Sequence, residues 1–94
     1  MIALFPGSFD PFTQGHENLV TRALNLFDAV VVAVGVNSDK KYMFTAQQRV
    51  DAIQQRFIND SRVRVVEFSD MTVDCCRRVG AGVIVRGVRN VQDM

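Results

Sequence analysis

The chain has one histidine and two cysteines, and the cysteines, Cys75 and Cys76, are neighbours. Adjacent residues on a helix point about 100° apart, so such a pair does not readily bridge. There is no third cysteine to offer another pairing, and with one histidine the set falls short of a tetrahedral zinc site. The pair reads as helix packing, and no metal ligand is expected. Charge of one sign is also lacking: 11 Lys and Arg stand against 10 Asp and Glu, a net charge of +1. A chain so balanced, without a basic run, projects no long-range field, so neither nucleic acid nor a membrane is expected as a partner. Long apolar runs are missing as well. The longest, Ala29 to Val36, is interrupted by Gly35 and too short to span a bilayer. No basic segment with an apolar core and a small-residue cleavage site precedes the first strand. A cytoplasmic location is expected.

What is present suits one globular domain over residues 1–94, with 48% hydrophobic and 22% charged residues. A domain of this size buries only about 60–65% of the surface of its unfolded chain, so its core is modest. Ile2 to Phe5 reads as a short buried strand. Gln14 to Phe27 reads as a helix capped by Thr13, with Leu19, Val20, Ala23, Leu24 and Phe27 on one face. Ala29 to Val36 has the near-continuous β-branched character of a central parallel strand covered on both sides. Thr45 to Gln48 forms a capping box that opens a second helix, whose stripe is Ala46, Val50, Ile53 and Phe57. Val63 to Phe68 is a third strand, Met71 to Val79 a third helix ended by Gly80, and Val83 to Val85 a fourth strand.

Strands alternating with helices predict an α/β fold, a Rossmann-like doubly wound parallel sheet with right-handed crossovers and strand order 3-2-1-4. Its switch point falls between the first and fourth strands, which brings the loop after Phe5 beside Arg86 to Arg89. Asn90 to Met94 begins a further segment with no partner element. The expectation is a sheet that continues, with this chain as its amino-terminal portion, apparently truncated after the fourth strand.

The stretch Phe5 to His16, FPGSFDPFTQGH, is the strand-to-helix connection at that point. A helix start offers unpaired N–H groups and a partial positive charge, which suit phosphate. Gly7 and Gly15 allow the backbone to turn and approach a ligand. Ser8 carries a hydroxyl that could donate to a phosphate oxygen. His16, in the first helical turn, could donate to charge growing on a five-coordinate phosphorus. Asp10, before Pro11, is assigned a structural role, bonding backbone N–H groups of the loop. Lys40 and Lys41 sit at the carboxyl end of the second strand, where an ammonium could neutralise an acceptor phosphate. Arg86 and Arg89 bring planar forks suited to the same anion.

Gly7-Ser8-Phe9-Asp10-Pro11 with Thr13-Gln14-Gly15-His16 resembles the nucleotidyltransferase signature GxFDPxxxGH. Lys40 to Thr45 with Gln48-Arg49 is similar to the KKxxFTxEER stretch of the phosphopantetheine adenylyltransferase family. Phe68 to Asp74 resembles that family's segment opening the third helix, and Arg86-Gly87-Val88-Arg89 its RGxR. The resemblance implies transfer of an adenylyl group from ATP to 4′-phosphopantetheine, giving dephospho-coenzyme A and pyrophosphate, with magnesium accompanying ATP and a homohexamer as the assembly. It implies that Ser8, Phe9, His16, Gly87, Val88 and Arg89 contact ATP, and that His16 stabilises the transition state. Ser8, Lys40, Thr72 and Arg86 would bind the acceptor. The alternatives are another acceptor, nicotinamide mononucleotide or glycerol phosphate, or a non-catalytic phosphate-binding module. Ser8 stands where threonine is commoner and Gln48 where the family has an acidic residue. The family's later acidic helix and Ser-rich ATP loop are not in the sequence, so little turnover is expected from the 94 residues alone.

Overall fold

The computed structural model describes residues 1–86; Gly87, Val88 and Arg89, assigned to ATP from the sequence, lie outside the described residues. Strands β1 (Ile2–Gly7), β2 (Ala29–Gly35), β3 (Val63–Phe68) and β4 (Val83–Ile84) alternate with helices α1 (Gln14–Leu24), α2 (Ala46–Arg56) and α3 (Thr72–Val79). The sheet is parallel throughout, in the order β3-β2-β1-β4. This is the expected doubly wound arrangement, with the chain reversing direction of travel between β1 and β4.

β2 is covered on both faces, as its valine run requires. Ala3, Phe5, Val30, Val32 and Val34 share one core with Val20 of α1 and Ile53 of α2. Leu4, Val31 and Ala33 face the other way and pack with Cys75 of α3. Cys75 is fully buried, and the Cys76 thiol donates to the Ala81 carbonyl at 3.3 Å, so both cysteines serve the packing of α3. Full burial of each valine contributes about 1.5–3 kcal/mol, which makes β2 the main hydrophobic anchor of the sheet. Among the described residues no helix is long and apolar enough to cross a membrane.

Beyond one-residue trims of β2, which ends at Gly35, and α3, which begins at Thr72, three boundaries differ from the sequence reading. β1 runs on through Pro6 and Gly7, pairing them with Ala33 and Val34. Ile2 and Leu4 accept from Gly82 and Val85, so even-numbered residues of β1 turn their polar groups toward β4. Pro6 falls on that side, where β4 is assigned no further than Ile84, so its missing N–H ends the ladder rather than interrupting it. α1 stops at Leu24, because Asn25 and Leu26 donate to Arg22 and Ala23 in a tightened last turn. β4 is assigned only over Val83–Ile84, although Val85 still donates to Leu4 at 2.8 Å.

Candidate active site

The carboxyl ends of β1, β2 and β3 lie level, since Gly7 pairs with Val34 and Gly35 with Phe68. Two clefts open along this edge. The first, about 480 Å³, is lined by Gly7, Ser8, Gly35, Lys40, Tyr42 and Asp70 among others. The second, about 830 Å³, lies over the start of α1 and is lined by Ser8, Phe9, Thr13, Gly15, His16 and Arg22 among others. Gly7 and Ser8 are common to both, so this dipeptide is a shared wall between two binding spaces.

The wall is held from below by aromatic packing. Phe9 is buried and adopts φ 51°, a left-handed conformation that costs a non-glycine residue about 1–2 kcal/mol. That turn drops its ring under Gly7: a Cβ on Gly7 would come within 2.9 Å of Phe9 Cζ. Gly7 is therefore required by the ring beneath it, in addition to any approach of a ligand from above. The Phe9 ring meets Phe5 edge-on at 5.1 Å and His16 edge-on at 5.0 Å. Phe9 is also among the residues lining the second cleft.

His16 is set by the helix cap as well as by these rings. It is the third residue of α1, and its Nδ1 accepts from the Thr13 N–H at 2.9 Å, while Thr13 Oγ1 accepts from the His16 N–H. This is a capping box with histidine in the position usually held by Glu or Gln. An Nδ1 that accepts carries no proton, so the neutral ring holds its proton on Nε2. Gly15 has only Thr13 Oγ1 near the place of a Cβ, at 3.7 Å, which leaves the helix start open to close approach.

Asp10 has the structural role expected of it, over a longer reach than its own loop. Its carboxylate accepts from the Met43 and Phe44 N–H groups at 2.5 and 2.7 Å, across 33 residues of sequence or more. The Asp10–Pro11 bond is cis. Lys40 lies in the wall of the first cleft. Thr72, the first residue of α3, is half-buried two positions beyond Asp70, and Arg86 is exposed just past β4. Neither is among the residues lining the two clefts. The structure thus brings Ser8, Phe9, His16 and Lys40 to the clefts, while Thr72 and Arg86 line neither.

The sequence reading quoted Arg49 without assigning it a role. It is the charged residue buried most deeply here, 2% exposed, and its guanidinium reaches the Ser8 and Gly35 carbonyls at 2.8 Å and the Phe44 carbonyl at 3.2 Å. The available signal was periodicity: Arg49 lies between Ala46, Val50 and Ile53, on the inward side of α2. In that helix, Gln48 Oε1 accepts from Thr45 N–H at 2.9 Å, so glutamine completes the capping box in place of an acidic residue.

A parallel sheet in the order β3-β2-β1-β4, with a helix start at its switch point, is a doubly wound, Rossmann-like α/β fold. Residues 4–94 match the family model described as cytidylyltransferase-like, and the chain belongs to that family. It is 48% identical over 92 residues to a phosphopantetheine adenylyltransferase of Christiangramia forsetii, covering 98% of this chain and 61% of that protein. It is also 48% identical to the enzyme of that name from Heliobacterium modesticaldum, covering 98% of this chain and 55% of that one. The chain spans about three fifths of the length of the first of these relatives. Among solved structures, a lipopolysaccharide core biosynthesis protein from Thermoplasma volcanium superposes with a TM-score of 0.76 at 20% identity, over 97% of this chain and 77% of that one. A bifunctional NMN adenylyltransferase/ADP ribose pyrophosphatase from Francisella tularensis gives 0.69 at 19% identity, over 90% of this chain and 31% of that one. Both share the fold.

Proposed function

We propose that this chain belongs to an enzyme that transfers the adenylyl group of ATP to 4′-phosphopantetheine, forming dephospho-coenzyme A and pyrophosphate. The observation that carries the reading is the pair of clefts with Gly7 and Ser8 as their common wall. Two substrates on either side of one dipeptide have their reacting groups close together, which is what direct transfer needs. The similarity to phosphopantetheine adenylyltransferases along nearly the whole chain supports this acceptor over nicotinamide mononucleotide or glycerol phosphate.

In this reading ATP occupies the second cleft, its phosphates against the start of α1 and Phe9, with Gly87, Val88 and Arg89 as further contacts. The acceptor phosphate lies in the first cleft against Lys40, with Ser8 at the boundary, Arg86 as a further contact and Thr72 beside the pantetheine arm. An acceptor phosphate oxygen attacks the α-phosphorus in line, the α–β bridging bond breaks, and pyrophosphate leaves with the electron pair. No side chain becomes covalently attached. His16 would donate to the charge that grows on the α-phosphate, and a fixed donor to such charge is worth about 3–4 kcal/mol of barrier.

Among the described residues no group of three or more His, Cys, Asp or Glu side chains could hold a metal ion. These residues do not make a resident site for magnesium, which would enter with the phosphates of ATP as part of the substrate. A cytoplasmic location and a homohexameric assembly complete the proposal.

The test is simultaneous occupancy. Calorimetric titration of the chain with 4′-phosphopantetheine, with and without saturating α,β-methylene ATP, should give similar acceptor affinities. Mutual exclusion of the two ligands would contradict a two-cleft site.

A further inference from the structure

Arg49 is in neither cleft wall, yet Ser8, Gly35 and Tyr42 of the first cleft are tied to it directly. Its guanidinium donates to the carbonyls of Ser8, at the end of β1, and Gly35, at the end of β2. The same group lies 4.0 Å from the centroid of the Tyr42 ring. The Tyr42 hydroxyl accepts from the Asn37 N–H at 3.0 Å, and the Asn37 carbonyl accepts from the Lys40 N–H at 3.0 Å. One buried cation therefore fixes Ser8 directly and Lys40 through two intermediates.

A second connection runs in parallel. Asp10, two residues after Ser8, holds the Met43 and Phe44 N–H groups, while Arg49 holds the Phe44 carbonyl. The peptide units around Phe44 are thus gripped from both sides, by a carboxylate from the β1 loop and a guanidinium from α2. Among the described residues Arg49 makes no ion pair. Its charge is met by carbonyl dipoles and an aromatic face.

We propose that Arg49, acting with Asp10, is the positioning residue that locks the Ser8 turn and the Lys40 loop in one relative placement, and so sets the geometry of the acceptor cleft. The inference deepens the adenylyl-transfer reading and rests on it for the identity of the acceptor, but the lock itself is independent of any ligand. Lysine at position 49 keeps the charge but presents a point ammonium on a flexible stem, which cannot span three separated carbonyls and stack on Tyr42.

Amide hydrogen exchange and calorimetry on the full chain separate the possibilities. Arg49→Lys should speed exchange at the Met43 and Phe44 amides about tenfold, with Val31 to Val34 unchanged, because the lock opens locally while the core stays closed. The same variant should bind 4′-phosphopantetheine about tenfold more weakly, as expected when a positioning contact is lost. Asp10→Asn should give the same local exchange pattern, and it decides the matter if Arg49→Lys does not fold. Unchanged exchange at Met43 and Phe44 in a folded variant would overturn the proposal, as would an equal rise throughout β2. If the unsubstituted chain binds no 4′-phosphopantetheine, the functional reading fails, while the exchange pattern still decides the lock.

Discussion

The ring of Phe9 occupies the space that a side chain on Gly7 would need, with Phe9 Cζ 2.9 Å from where a Cβ would stand. A methyl group at position 7 must move that ring. The ring in turn meets His16 edge-on at 5.0 Å, so the displacement passes to the proposed transition-state donor. Gly7→Ala should destabilise the fold by about 1–3 kcal/mol through overpacking. It should also reduce turnover in the complete enzyme by more than the loss of folded fraction accounts for. Thermal melting beside activity at a temperature where both proteins are folded checks this.

His16 combines a cap and a proposed donor, and two substitutions separate them. Glutamine at this position can accept from the Thr13 N–H as histidine does, so His16→Gln should leave the melting temperature nearly unchanged. His16→Ala removes the reciprocal cap bond and should cost about 0.5–1 kcal/mol. In the complete enzyme both should lower turnover by about a hundredfold or more, with little change in acceptor binding. Turnover retained by the glutamine variant would contradict the role given to the imidazole.

Most of the architecture was legible in the sequence because its signals were local and consistent. The valine run of β2, the N-cap at Thr13, the capping box at Thr45, and Gly80 ending α3 all read as they fold. The order 3-2-1-4 followed from handedness and alternation rather than from any one residue. The continuation of β1 through Pro6 was hidden, since a proline normally ends a strand and is tolerated here on the side where β4 is assigned no further than Ile84. The environment of His16 was partly hidden too: helix periodicity places it in the first turn, but Phe5, Phe9 and Phe12 surround it by tertiary packing. Arg49 was the least legible, because its partners are main-chain carbonyls at positions 8, 35 and 44, which no side-chain pattern announces.

Two groups give the fold a pH dependence at opposite ends. Burial pushes the Cys75 thiol up, opposed by Arg78 and reinforced by Asp70 and Cys76. A thiol that holds its proton more tightly when folded contributes stability below its unfolded pKa, about 8.5, and that contribution is lost as pH rises through the folded value. Asp60 behaves in the opposite sense. Hydrogen bonds from the Arg62 side chain and backbone hold its carboxyl below the ordinary range. Its contribution is present above the unfolded value, about 3.9, and is lost as pH falls through the folded one. Asp60→Asn should therefore be less stable than the parent at neutral pH, with the gap closing as pH falls through the lowered folded-state value. Denaturant titrations across pH read this directly, and a gap that persisted in acid would contradict it.

The buried thiol carries a further expectation. Cys75 is fully covered, so at pH 8 it should react with iodoacetamide only as fast as the chain opens, with Cys76 labelled first. Peptide mass spectrometry resolves the two sites. Labelling of Cys75 at the rate of a free thiol would show that α3 does not pack against the sheet as described.

The proposed acceptor site in the first cleft is tested most directly by calorimetric titration of the chain with 4′-phosphopantetheine beside nicotinamide mononucleotide and glycerol phosphate. Selective binding of 4′-phosphopantetheine is expected, weakened about tenfold or more in Lys40→Ala and Arg86→Ala, since each would remove a charge-assisted contact to phosphate. A folded chain that binds none of the three, or that prefers one of the other two, would contradict it.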